Sequence, residues 1–395
     1  MIPNGWTRKK LIDLFDFKNG VNAGKEQYGR GTKFINISEI FKSNCIYESD
    51  IPASVEIDNS KVELYLVKKG DVVFNRTSET FDEIGLTAVY LDSARVVFGG
   101  FVIRARPITG ELTYEYCKYA FSSDEIRREI IRRGQGAIRA NIGQDDLGKV
   151  PIVIPPSAEQ EKIAKILFSW DRVIEKLEEL VQVKKLRKKG LMQQLLTGKK
   201  RFNGFNDHWT SVELSDVVKL SKEKHNPVKE KQSYKCIELE HIEQNTGRLL
   251  GFTDSQGLAS IKTKFNKGDV LFGKLRPYLR KHFHATFNGV CTSEIWVLKP
   301  SERINSRFLY YITQSHKFIG VSNISSGSKM PRADWKVVQE FPIKLPSLKE
   351  QEKIAETLSN CDSEISLNTK EIELLKLETK GLMQQLLTGK KRVKV

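Results

Sequence analysis

Apolar side chains recur at Ile163, Leu167, Trp170, Ile174, Leu177 and Val181 in alternating steps of four and three, and the stripe resumes at Leu191. That period is the seam of a long helix that buries one narrow face against a second helix. A second stripe runs through Ile354, Leu358, Cys361, Ile365, Asn368, Ile372, Leu375 and Leu382. Each is weak where its counterpart is strong: Lys184 and Lys188 correspond to Leu375 and Thr379, and Asn368 corresponds to Leu177. The two helices are therefore expected to pack on each other. Ser157 is the candidate N-cap of the first, with Glu159, Gln160 and Glu161 in the first turn where carboxylates suit the helix dipole. The second opens at Pro346-Ser347, and Gly198 and Gly389 stand where a left-handed glycine would end each helix.

The stripes belong to a doubled chain. Thirteen residues from Lys189 to Arg201 recur without change from Lys380 to Arg392, an offset of 191 that also relates Glu159–Ala164 to Glu350–Ala355, Asp171 to Asp362 and Pro151 to Pro342. Echoes persist upstream: Trp6-Thr7 against Trp209-Thr210, Lys69-Gly70-Asp71 against Lys267-Gly268-Asp269, and Gly134 against Gly327. Each half thus reads as a variable globular domain followed by a near-invariant helix, with boundaries at 1–155, 156–202, 203–345 and 346–395. A helix of roughly 39 residues is about 60 Å long, and only about ten residues join its end to Trp209. The second helix is then expected to return antiparallel, giving a dumbbell with a two-fold pseudo-axis and its carboxyl end near residue 1. Short apolar runs (Val72–Phe74, Val96–Ile103, Val270–Phe272, Ile295–Leu298) mix with helical stretches at Glu125–Arg133 and Arg307–Thr313, so each globular half is expected to be α+β.

Composition narrows the partners. Lys and Arg number 65 against 49 Asp and Glu, a formal charge of +16, which favours polyanions, nucleic acid before anionic membrane. No apolar run reaches membrane-spanning length and Met1–Lys10 lacks a signal-peptide core, so a cytoplasmic protein is expected. Five scattered cysteines without a C-x-x-C pair argue for reduced thiols and against a zinc ribbon, with Cys361 a helix-interface residue.

Motifs for chemistry are mostly missing. Gly268 to Lys274 has Walker-type glycine spacing, but Leu275 replaces the magnesium-binding hydroxyl and Val270–Phe272 looks like a strand. His282-Phe-His284 lacks further metal ligands and reads as two surface histidines, and Gly134-Gln-Gly136 lacks the third glycine of a dinucleotide loop. No N-P-P-aromatic or D-P-P-aromatic tetrapeptide of an amino-methyltransferase is present, nor a nuclease-like carboxylate and lysine cluster.

Basic residues interleaved with amides and aromatics are present instead. Lys274, Arg276, Tyr278, Arg280 and Lys281 alternate around Pro277, and the same place in the first half carries Asn75, Arg76, Thr77 and Ser78. A second set, Arg132, Arg133, Gln135, Arg139 and Asn141, is matched by Ser326, Ser328, Lys329, Arg332 and Asp334. Arg pairs bidentately with guanine, Asn or Gln with adenine, and Lys mostly with phosphate, so these are the candidate DNA contacts. The helix-end clusters Lys184–Lys189 and Lys199–Arg201 read as solvated or protein-contacting faces.

On its doubled architecture, with a Pro-Ser-led E-Q-x-x-I-A segment opening each helix and G-L-M-Q-Q-L-L-T-G closing it, the chain resembles the specificity subunit of type I DNA restriction-modification enzymes over its full length. The resemblance implies two target-recognition domains that each read one half of a split double-stranded DNA target, with the helices fixing the gap. It implies no catalysis by this chain alone. Two modification subunits using S-adenosylmethionine, and restriction subunits using ATP and Mg, would carry the chemistry. The first domain lacks the Arg-Pro-Tyr of the second, a departure from the pattern. The competing readings are a self-contained methyltransferase or nuclease, and a non-enzymatic coiled-coil scaffold.

Overall fold

Each amphipathic stripe is one unbroken helix in the computed structural model, Ser157–Leu195 and Leu348–Leu387. The structure describes residues 2–136, 139–324 and 330–394. Along both helices the stripe positions are the buried or half-buried ones, from Ile163 to Val181 and Leu191 and from Ile354 to Leu382. The first turn of the first helix closes on Pro156, whose carbonyl accepts from the amides of Glu159 and Gln160; Ser157 is therefore already helical and is not the N-cap. In the second helix Ser347 has that place. Gly198 and Gly389 take φ of 70° and 68°, and the amides of Lys200 and Lys391 reach back to the carbonyls of Gln194 and Gln385, closing both helices in the same way.

The chain divides into two units, Met1–Glu178 with Glu371–Val395, and Glu179–Lys370. In the first, a five-stranded sheet runs in the order Phe15–Asn19, Val102–Pro107, Val72–Asn75, Thr87–Tyr90, Cys45–Ile46. Val72, Phe74, Ile103 and Ala105 on one face pack against helices Tyr114–Ala120 and Asp124–Arg133. Alternation puts Val73 and Val102 on the other face, in a second core with Ile35, Tyr90 and Phe98. Strands Ser54–Val55, Tyr28–Ile35 and Val96–Phe98 form a smaller sheet. The apolar run Val96–Ile103 is thus two strands in two sheets, divided by a turn at Gly99–Phe101 rather than one continuous strand.

The second unit repeats this plan. Its four-stranded sheet runs Val218–Leu220, Ile295–Pro300, Val270–Gly273, His282–His284, covered by helices Ser306–Gln314 and His316–Ser322. A five-stranded sheet stands where the first unit has three strands. The echoed Lys-Gly-Asp is a turn in both units: Gly70 and Gly268 have φ of 90° and 95°, and Asp71 and Asp269 accept from the amides of Lys68 and Asn266.

The invariant helix residues fasten each globular part to its helix. Gln160, fully buried, accepts from the Thr113 amide (2.9 Å) and donates to the carbonyls of Glu111 (2.7 Å) and Pro155 (2.9 Å). Gln351 does the same with Asn305 (2.7 Å), Arg303 (3.1 Å) and Pro346 (2.9 Å). Asp171 and Asp362 accept from the hydroxyls of Tyr119 and Tyr311 at 2.6 and 2.8 Å. Glu159 receives the Trp6 indole and the Arg392 guanidinium, as Glu350 receives those of Trp209 and Arg201. Ile163 and Leu167 then enter one core with Leu386 and Leu387, and Ile354 and Leu358 enter the other with Leu195, each fully buried leucine stabilising by about 1.5–3 kcal/mol.

Within each unit the helix segments pair antiparallel. In the second, Lys188 meets Asp362 (2.6 Å) while Lys184, one turn earlier, meets Asn368 (2.9 Å), further along the other helix. The polar stripe positions thus face each other instead of facing apolar partners, which fixes register at some cost in stability. In the first unit Glu178 meets Lys376 (2.7 Å) and Glu159 meets Arg392.

Candidate nucleic-acid interface

The two sequence clusters of the first half, 64 residues apart from Thr77 to Asn141, converge where strand Val72–Asn75 ends. Thr77–Ser78 pairs antiparallel with Ala140–Asn141, and Gln135 and Asn141 exchange both backbone hydrogen bonds at 2.8 Å. The Thr77 hydroxyl lies 3.3 Å from Asn141 Oδ1 as its donor. Gln135 and Arg139 are exposed, with Gln135 Nε2 donating to Asp146 at 3.1 Å. Arg76 is half-buried, its Nη1 pointing at the Gly100 carbonyl (3.4 Å). Arg133 is drawn to the Glu129 carboxylate and carbonyl of its own helix.

Two first-half candidates are corrected. Asn75 is fully buried and its Nδ2 donates to the Glu83 carbonyl (2.9 Å), while Ser78 is buried and bonded to the Glu83 carboxylate. Both hold the loop from beneath through Glu83, and neither side chain is exposed for contact.

The second half builds the same frame. Strand Val270–Gly273 runs into Lys274, whose carbonyl accepts from the Ala333 amide (2.9 Å); Leu275 bridges Arg332, and the Arg276 amide donates to the Pro331 carbonyl (2.8 Å). Arg276 and Arg280 then flank a single turn, Pro277–Leu279, and both adopt left-handed backbone, φ 51° and 50°. Residues other than glycine pay about 1–3 kcal/mol for such strain, which concentrates at functional sites. The strained turn lifts Arg276 and Tyr278 into solvent. Arg280 leans toward the Gln314 carbonyl (3.5 Å), and Lys281 donates to that of Leu239 (2.6 Å). The Arg332 fork is held by both oxygens of Glu294 at 3.0 and 3.2 Å, which raises its pKa. Lys274 is half-buried. Lys329, with Ser326, Gly327 and Ser328, lies outside the described residues.

His282 and His284 are not the surface pair expected. They occupy a sheet strand, His282 fully buried beside Tyr310, and burial depresses their pKa values to about 3 and about 4. Among the described residues no group of three or more His, Cys, Asp or Glu is placed to hold a metal ion, and no helix is long and apolar enough to cross a membrane. The reading of residues alone missed the Glu294 partner of Arg332 and the Trp-Glu-Arg clusters. Their only sequence trace is that Trp6, Glu159 and Arg392 repeat as Trp209, Glu350 and Arg201.

Two unlike α+β bodies, each with arginine side chains at one strand end, joined by amides in the first unit, and each fastened to a repeated helix, are the features of a sequence-reading class of protein. The family model described as "Type I restriction modification DNA specificity domain" matches twice, over residues 3–185 and 206–377. Among curated proteins, the MjaVIII specificity subunit of Methanocaldococcus jannaschii is 26% identical over 70% of each chain. The putative MjaX specificity subunit of the same organism is 24% identical over all of this chain and 95% of that one. Among solved structures, a type I restriction-modification S subunit from M. genitalium superposes with TM-score 0.57 at 16% identity, covering 98% of this chain and 97% of that one. A chain from a structure on assembly and conformational transition of the type I R-M system gives TM-score 0.59 at 16% identity, covering 99% and 100%. The chain belongs to the type I restriction-modification DNA specificity family. It is a DNA target-recognition subunit, a non-catalytic component that acts in complexes with DNA and partner subunits.

Proposed function

We propose that residues 1–155 and 203–345 each read one half of a split double-stranded target, while 156–202 and 346–395 set the gap and dock two modification subunits. The observation that carries this reading is one backbone frame dressed with different side chains: Arg76 and Asn141 in the first unit stand where Lys274 and Arg332 stand in the second. A shared frame delivers side chains to a groove in the same way, and unlike side chains select unlike bases. Gln135, Arg139, Asn141 and Arg76 are the readers of the first half-site; Arg276, Tyr278, Arg280 and Arg332 are those of the second, with Lys274 and Lys281 at phosphates.

Apolar residues on the outer helix faces support partner docking. Leu180, Val183, Leu186 and Leu367 are 41–70% exposed in one unit, and Val173, Leu374 and Leu377 are 49–67% exposed in the other. Val183 and Leu186 repeat as Leu374 and Leu377, so the two helices offer one kind of partner a pair of like seats. S-adenosylmethionine, ATP and Mg then act on modification and restriction subunits in the cytoplasm, and this chain supplies the address.

The test is footprinting of DNA by the chain assembled with its modification subunits. Two protected, sequence-defined segments flanking an indifferent stretch are expected. Methyl transfer by the purified chain alone, given DNA, Mg and S-adenosylmethionine, would refute the assignment.

A further inference from the structure

Three chain segments meet at the reading edge of each unit, and the third went unread in the sequence. The Arg76 amide donates to the Phe101 carbonyl (2.8 Å), while the Arg76 carbonyl accepts from the Ile142 amide (3.0 Å). In the second unit the Lys274 amide donates to the Glu294 carbonyl (2.9 Å), and the Lys274 carbonyl accepts from the Ala333 amide (2.9 Å). By backbone position Phe101 is therefore the counterpart of Glu294. Glu294 grips Arg332, whereas Phe101 has no such partner to grip: Asn141 stands at the place of Arg332 and is itself bonded to Thr77.

Phe101 is 57% exposed. It sits on a tight turn, closed by the Val102 amide on the Gly99 carbonyl (2.9 Å). A Cβ on Gly100 would come within 1.9 Å of Asn22 Oδ1, and one on Gly99 within 2.7 Å of the Phe34 ring. A lone exposed phenylalanine is ordinary on a protein surface. One projected from a tight turn, bonded through its carbonyl to the Arg76 amide and placed where the other unit carries Glu294, the carboxylate that holds Arg332, is a different matter.

Resting on the function proposed above, we infer that Phe101 is a specificity-determining residue of the first half-site and takes the C5-methyl group of a thymine. The paired segments Thr77–Ser78 and Ala140–Asn141 form a two-stranded ribbon, an element that the major groove admits. Asn141 and Gln135 on that ribbon carry the amide groups that read adenine edges, and the apolar feature the same groove offers beside them is the thymine methyl.

The experiment uses the chain assembled with its modification subunits and duplexes in which each first-half thymidine is replaced in turn by deoxyuridine. At one position wild-type affinity falls about fourfold, the worth of one buried methyl group. F101A binds the thymine and uracil duplexes equally at that position, F101L keeps part of the difference, and second-half replacements affect all three chains alike. Full methyl sensitivity in F101A, or no first-half position sensitive to methyl removal in the wild type, overturns the inference. Absence of any sequence preference by the assembled wild-type complex would instead overturn the proposed function itself.

Discussion

Arg276 and Arg280 flank the Pro277–Leu279 turn in left-handed backbone, a conformation arginine adopts only when its surroundings impose it, and this fixes the direction in which exposed Arg276 and half-buried Arg280 leave the chain. R276A should relax base preference at one position of the second half-site by about 1–3 kcal/mol, leaving the first unaffected, as read by selection from randomised duplexes. A uniform affinity loss with a shallower salt slope would make Arg276 a phosphate contact instead. Beneath this loop, His282 stays neutral in the folded chain down to about pH 3 because burial, and then the nearby charges of Lys188 and Arg280, disfavour its protonation. The unfolded chain takes up that proton below its ordinary value of 6.5. Stability is therefore whole above that value and drains as pH falls toward about 3, by about 2 kcal/mol at pH 5 from this residue. His284, depressed to about 4, acts in the same direction, so H282F should show a shallower but nonzero loss in urea titrations between pH 7 and 5. Neither histidine's burial was legible in the sequence, because Arg280 and Lys281 immediately upstream masked a strand whose inward face is set by its pairing with Val270–Phe272.

At the scale of elements, the repeated helix openings do two jobs with one segment. Glu159 and Gln160 open a helix and also fasten a globular domain, and their copies Glu350 and Gln351 do the same with other partners. Q160A leaves one amide and two carbonyls in buried or half-buried surroundings without a partner and should destabilise by about 3 kcal/mol, whereas E161A on the exposed face should change the unfolding free energy read from urea titrations by less than about 0.5 kcal/mol. Equal effects from both would remove the fastening role. The long helices were legible because a heptad stripe over many turns admits one period. The run Val96–Ile103 was not, since a buried strand and the tight turn Gly99-Gly100-Phe101 both read as apolar and small; only the second sheet's pairing divides them. That same division hid Phe101. The convergence of Arg76–Ser78 with Gln135–Asn141 also lay beyond reach, because it depends on non-local strand pairing, although the sequence echo between the halves had marked both segments.

For the whole molecule, duplication separates what must stay constant from what must vary. The repeated helices carry the fastening residues that both copies share, while the globular parts vary the side chains on one frame. Inserting one heptad into each helix adds about 10 Å, equivalent to about three base pairs of duplex. Modification assays on targets of graded spacing should then favour a gap longer by that amount, with both half-sites unchanged; altered half-site bases at unchanged spacing would count against gap-setting helices. The most direct measurement is genome-wide mapping of methylated bases in cells carrying the modification partner with either the wild-type chain or a variant altered only at Arg276, Tyr278 and Arg280. The account predicts a two-part motif with an unread middle, of which only the second part changes in the variant. A single continuous motif, or a change in the first part, would contradict it.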